Sequence, residues 1–388
     1  MNRYMIIIVL LSCTLLTACK TIQTDSNNQL PPSPTTEPND TITPEPSKGP
    51  DISQQKKEEL ETTINTVNSE QDIIDVLIEG IPLFCEKLSF DLGNIVLSNE
   101  LPDLFVQNAY YKVTSQQPSL KYVYETKIQY NEETKIATCE LMYMPFKFGF
   151  HDSEVLSNTH LVYTLKDLIS IAQDNLTGAS VDIRIMNPNL DVDDMQKALQ
   201  QVGYGYIVCE LNKDATQITM SPTYSRTIEE CLSYIKDTEL LADEILKDIV
   251  SDSMTDDEKI VAVYSYVAEN TAYDYRYYTN RNEMPYESMT AYGVLKDNLA
   301  ICGGYSWAVR LLLDRIGIEC YNVTGLLSGE SHMWNIIKYE DKYLYFDTTN
   351  DAGLTPDLGF RNFAMTVEQA SQSHEWDDEF LEHLLAEK

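Results

Sequence analysis

Ile301-Cys302-Gly303-Gly304-Tyr305 opens an apolar helical pattern carried by Ala308, Leu311, Leu312, Leu313 and Ile316, with Gly317 as its stop. A glycine just past the last apolar position is a natural helix end, so Cys302 sits at the N-terminal edge of the helix. A thiol is a useful nucleophile only as thiolate, and a helix N-terminus supplies a field that favours negative charge. Gly303 and Gly304 remove side chains where a substrate backbone would approach and leave amide donors free for a developing oxyanion. From Cys302 alone, a buried structural cysteine at a glycine turn is the better reading.

Downstream residues change that balance. His332 begins a strand that runs to Tyr339, Glu340-Asp341 makes a turn, and Lys342 to Thr348 returns. A two-residue loop sets Trp334 opposite Asp347 and makes His332 its diagonal neighbour on the same face, within reach of the carboxylate. A loop longer or shorter by one residue would put the two on opposite faces. Thiol, imidazole and carboxylate in one compact segment are the parts of a cysteine-type acyl-transfer site. Gly303, Gly304, Tyr305 and Trp334 are the accompanying candidates for the substrate cleft or oxyanion site.

The order Cys302-Gly303-Gly304-Tyr305, Ser331-His332-Met333-Trp334-Asn335-Ile336 and Tyr345-Phe346-Asp347-Thr348-Thr349 resembles the core of the bacterial transglutaminase-like superfamily, which has a papain-like fold. Thr271-Ala272-Tyr273-Asp274-Tyr275 resembles that family's motif after the first core helix, and Ala291-Tyr292-Gly293-Val294-Leu295 its approach to the cysteine. Phe363 with Ser373-His374 resembles its closing segment, so the likeness spans roughly residues 238 to 376. Carried over by position, the resemblance implies Cys302 as nucleophile, His332 as general base and acid, and Asp347 as the group that orients the imidazole. Two positions depart from the pattern: Ala300 stands where a glycine is usual, and Asn350 where an aromatic is common. Both bear on the cleft rim and thus on the substrate. The calcium sites of animal transglutaminases have no counterpart, so neither a metal nor another cofactor is expected.

Arg3, the apolar run Tyr4 to Leu16 and Leu16-Thr17-Ala18-Cys19 have the form of a secretory signal over residues 1–18. A cut directly before a cysteine resembles the bacterial lipoprotein box, which implies lipidation of Cys19 and a place at the extracytoplasmic face of a bacterial cell membrane. Residues 19–57 are rich in Pro, Thr, Ser, Asn and Asp and read as a disordered tether.

The remaining length suffices for two domains: an α+β domain of unassigned role over 58–236, then the transglutaminase-like domain over 237–388. In the first, Lys121 to Tyr130 and Lys135 to Met144 flank a polar turn as a hairpin after a helix near 101–111. Asp191 caps a helix to Val202, followed by strands at Tyr206 to Leu211 and Thr216 to Met220. These two helix–hairpin units are either an internal duplication or chance similarity. In the second, Thr255-Asp256-Asp257-Glu258 has capping-box spacing ahead of an apolar stripe. Tyr273, Tyr275, Tyr277, Tyr278 and Tyr286 crowd the loop that follows, with packing a safer reading than a groove lining.

The 388 residues carry a net charge of -33, which argues against nucleic acid as a partner. Of eight cysteines, Cys13 would leave with the signal and Cys19 would be lipidated. No Cys-x-x-Cys is present and the five histidines lie far apart in sequence, so no zinc ligand set is apparent. Most of the other cysteines read as buried small hydrophobes. The expected function is cysteine-dependent acyl transfer on a peptide, a protein or a cell-wall peptide at the cell surface. The alternative is a non-catalytic surface module that uses the same fold to bind.

Overall fold

The computed structural model describes residues 52–97, 100–148, 159–223 and 226–386, and its first half runs one path twice. The expected signal segment, Cys19 and the tether as far as residue 51 lie outside the described residues. Residues 52–57, expected to belong to the tether, are instead helical. They begin α1 (Ile52–Thr62), which lies against the strand Lys87–Asp91, packs Leu60 on the core and pairs Lys56 with Glu79 at 2.5 Å.

After α1 come β1 (Ile64–Thr66), α2 (Glu70–Gly80), β2 (Lys87–Asp91), α3 (Pro102–Gln116), the hairpin β3 (Val123–Asn131) and β4 (Ile136–Tyr143), and the short α4 (Pro145–Phe148). The sheet order is β1-β2-β4-β3, with β1 and β2 parallel and the other pairs antiparallel. The second pass is β5 (His160–Val162), α5 (Leu165–Asp174), β6 (Val181–Ile185), α6 (Val192–Leu199), β7 (Ile207–Leu211) and β8 (Gln217–Pro222). Its order, β5-β6-β8-β7, and its one parallel pair repeat the first. The first helix of each pass opens with a reciprocal capping box, Ser69 with Asp72 and Thr164 with Asp167. Each box precedes a buried apolar pair, Ile73-Ile74 or Leu168-Ile169. The two helix–hairpin units are therefore parts of a topology that occurs twice.

The expected domain boundary at 236/237 falls inside α7 (Ile228–Ile249), and residues Pro50–Lys388 form one compact unit. Buried polar groups join the two parts. Gln201 donates to the Asn322 carbonyl at 3.0 Å and accepts from the Asn322 amide at 2.9 Å and from Arg310 at 2.5 Å. Thr290 and Tyr206 hydroxyls meet at 2.9 Å. Such groups are costly to bury unless partnered, and each part here partners the other.

The remaining elements are α8 (Asp256–Asn270), capped by Thr255 and Glu258 as expected, β9 (Ala272–Tyr273), α9 (Arg276–Thr279), β10 (Leu299–Ala300), α10 (Cys302–Arg315), β11 (Cys320–Leu327), β12 (Glu330–Tyr339), β13 (Lys342–Phe346), α11 (Val367–Ala370), β14 (His374–Trp376) and α12 (Asp378–Ala386). An antiparallel sheet of order β13-β12-β11-β14 carries α10 against β11 and β12, and α7 and α8 also pack on that helix. Every residue of α10 from Gly304 to Leu313 is buried, so this helix is a central strut with no solvent face over those turns.

Candidate active site

Four features place Cys302. Ile301 is the N-cap of α10 and offers no side-chain cap, so the amides of Cys302, Gly303 and Gly304 form a first turn without intrahelical partners. Ahead of it, residues Gly293–Asp297 form a π-helical turn that ends in left-handed Asn298 (φ 53°). β9 and β10 then pair in parallel, with Ala300 opposite Tyr273. Finally, the Ile301 amide donates to the Ser288 carbonyl at 2.8 Å, which draws the helix tip against the loop 288–290. A Cβ at Gly304 would lie 2.8 Å from Ala300 Cβ, 2.8 Å from the Ser288 carbonyl and 2.9 Å from that of Thr290. Gly304 is thus required by packing beneath the tip.

The β12–β13 turn has the length that the placement of His332 depends on. Glu340 (φ 48°) and Asp341 (φ 60°) form a two-residue left-handed turn, and Asn335 pairs with Phe346. Asp347 follows β13 by one residue, on the face of His332. His332 Nε2 lies 2.9 Å from Asp347 Oδ2, and the same imidazole interacts with the Cys302 thiol. Thiol, imidazole and carboxylate therefore stand together as one interacting group.

Its electrostatics follow from burial and from these partners. Desolvation alone would lower the His332 pKa, but hydrogen bonds and charge from Asp347 and Cys302 outweigh it and push the value up to about 9. Asp347 is fully buried, which by itself raises a carboxyl pKa; His332 and His374 more than offset this and hold it below the usual range. His374 approaches the same oxygen, with Nε2 at 3.1 Å from Oδ2. Asn350, the departure from the family pattern, contributes its backbone amide to Asp347 Oδ1 at 3.3 Å. A second buried carboxylate, Asp351, accepts from Tyr264 at 2.7 Å and from the Asn362 amide at 2.9 Å, and so pins the loop behind Asp347.

Two expected cleft residues are not on a cleft surface. Tyr305 is 1% exposed, with its hydroxyl donated to the Thr271 carbonyl at 2.7 Å. Trp334 is likewise 1% exposed and stacks under His332 at 5.9 Å, with its edge contacts to His374 and Trp376. Both are drawn inward because a large ring on α10 or on the inner face of β12 has only core to enter. Gly304 is also buried, while Gly303 stays partly accessible beside Cys302. The aromatic loop supplies a neighbour that the sequence did not single out for chemistry. Tyr273 is packed with Tyr275 and Tyr278, and burial, the Tyr278 hydrogen bond and the charge of Cys302 all raise its hydroxyl pKa. Among the described cysteines, Cys85, Cys139, Cys209, Cys231 and Cys320 are buried and free, and only Cys302 is partly exposed. Burial pushes Cys139 and Cys209 up to about 12. Donor atoms of His332, Asp347 and His374 lie within 4.8 Å of one another, a metal-ligating set by type in which both imidazoles here hydrogen-bond Asp347.

Residues 243–348 match the model of the transglutaminase-like superfamily core. No curated protein matches the chain. Among solved structures, one named a TGase is similar at 17% identity, over 55% of this chain and 64% of that one, with a TM-score of 0.28. A structure named as a candidate cysteine protease from Cytophaga hutchinsonii is similar at 15% identity, over 33% of this chain and 42% of that one, with a TM-score of 0.24. The chain spans less than two thirds of the length of either. The helix-on-antiparallel-sheet core is thus of the transglutaminase-like kind, in an α+β chain.

Proposed function

We propose that this protein is a cysteine-dependent acyl-transfer enzyme acting on peptide or glutaminyl amide bonds. The observation that carries the reading is the His332–Asp347 hydrogen bond, with the Cys302 thiol at the tip of α10 acting on the same imidazole. Cys302, as thiolate, attacks the amide carbonyl; the free amides of the first helical turn receive the oxyanion; His332, as imidazolium, protonates the leaving amine and a thioester forms. Water or a second amine then adds to the thioester, with His332 taking up its proton, and the thiolate is released. Asp347 keeps the imidazole's Nε2 protonated and Nδ1 toward the sulfur. The enzyme is held at the extracytoplasmic face by a lipid on Cys19, which directs it to surface proteins or wall peptides.

Iodoacetamide labelling of Cys302 as a function of pH tests the pair. A thiol reactive well below pH 8 in wild type, and not in His332→Ala, is expected; a thiol that labels like an ordinary cysteine refutes the catalytic reading and favours a binding module. Glutaminyl peptides offered with and without a primary amine then separate cross-linking from hydrolysis by adduct and ammonia. Release of the protein from membranes by Cys19→Ala checks the anchor.

A further inference from the structure

Asp347 is held by two imidazoles. His374 Nε2 lies 3.1 Å from Oδ2, the same oxygen that His332 Nε2 meets at 2.9 Å, and the His374 side chain is fully buried. His374 opens β14 at the far edge of the sheet, opposite Leu327 of β11. Its ring stands edge-on to Trp334 at 4.7 Å, so the two histidines and the tryptophan form one packed cluster around the carboxylate. On the other side of the ring, Nδ1 is 3.0 Å from Ser373 Oγ and 3.2 Å from the Ala370 carbonyl.

We propose that His374 is a positioning residue: by donating Nε2–H to Asp347 it fixes the carboxylate plane that orients His332 toward Cys302. The inference rests on the acyl-transfer reading above. A carboxylate turns easily about its last torsion, which is broad and weakly preferred. The other oxygen of Asp347 has the Asn350 amide at 3.3 Å, a long contact that would not by itself hold the group. A buried carboxylate served by His332 alone would also lack donors for its remaining lone pairs, which is costly in a dry site. The second imidazole meets both needs. With the carboxylate held in line, His332 keeps its proton on Nε2 and turns Nδ1 to the sulfur, so His374 acts on the thiol through two intervening groups and touches no substrate.

The test is alkylation of Cys302 by iodoacetamide, read by mass spectrometry of its peptide, across pH in the full chain. Wild type, His374→Phe, His374→Gln, Asp347→Asn and the Asp347→Asn/His374→Phe pair are compared. Phe keeps a ring against Trp334 without a donor, while Gln keeps a donor. His374→Phe is expected to slow labelling near pH 6 by about 10- to 100-fold and Gln to recover most of it, the scale at which supporting partners of a site act. On a substrate, kcat should fall with KM unchanged, and the double variant should be no slower than Asp347→Asn alone. A long-range 15N–1H spectrum of the wild type should show His374 protonated on Nε2. That measurement decides the matter should His374→Phe not fold, and a ring bare at Nε2 overturns the proposal. Labelling of His374→Phe at the wild-type rate, while wild type still depends on His332, overturns it and leaves the acyl-transfer reading standing. An unreactive wild-type thiol overturns both. Wild-type reactivity lost to EDTA and restored by a divalent cation would assign the three groups to a metal site instead.

Discussion

At the scale of residues, His332 is the hinge of the proposed chemistry, and its charge state predicts where activity ends. With its pKa pushed up to about 9, the ring is an imidazolium across the neutral range and can protonate a leaving amine; above about 9 it cannot. Rates of amide cleavage are therefore expected to fall on an alkaline limb near pH 9, measured as kcat/KM against pH. Stability is linked to the same shift. Because the folded value lies above the ordinary 6.5, the stabilisation is complete below 6.5 and is lost as pH rises through about 9. Urea midpoints should decline over that window in wild type and stay flatter in His332→Gln, by a difference on the order of 3 kcal/mol at most. Gly304 makes a separate prediction. Ala at this position meets two backbone carbonyls and the Ala300 methyl at under 3 Å, so Gly304→Ala should lose about 1–3 kcal/mol in urea unfolding, with reduced labelling of Cys302 as the helix tip shifts. Cys302, His332 and Asp347 were legible in sequence because each is of a reactive type. Gly304 was legible only as a glycine; that it makes room for the loop 288–290 was not.

Among elements, the β12–β13 hairpin carries the geometry. Its register could be derived because Glu340-Asp341 is a two-residue turn, and two residues leave one pairing that puts His332 and Asp347 on a common face. Both turn residues are left-handed without being glycine. Asp341→Gly is thus expected to gain a few tenths to about 1 kcal/mol, while Asp341→Val should lose about 1–2, a difference in sign that thermal melts can read. His374 could not be derived in the same way. β14 has three residues and no turn ties it to a neighbour; it joins the sheet by pairing Leu327 with His374, 47 positions apart in sequence. Local periodicity carries no information about such a contact. The capping boxes of α2, α5 and α8 lie at the opposite extreme, since the residues that close them are three apart.

For the whole molecule, the main surprise is that the half with the repeated topology and the transglutaminase-like core fall in one compact unit. α7 bridges the expected boundary at 236/237, and Gln201 serves both Asn322 and Arg310 across it. A fragment of residues 237–388 is accordingly expected to be unstable and prone to aggregate. In the full chain, Gln201→Leu should cost about 1–3 kcal/mol by stranding the groups it satisfies, measured by urea unfolding. Such polar links are invisible in sequence because glutamine is ordinarily a surface residue and nothing near Gln201 marks it as buried. The five sequestered cysteines described with the site carry one more consequence, for oxidative damage. If peroxide converts Cys302 to a sulfenic acid, the other described thiols lie in the core with no solvent route to it. Repair would then fall to a soluble reductant from outside, and dialysed, oxidised protein should remain inactive until such a reductant is supplied.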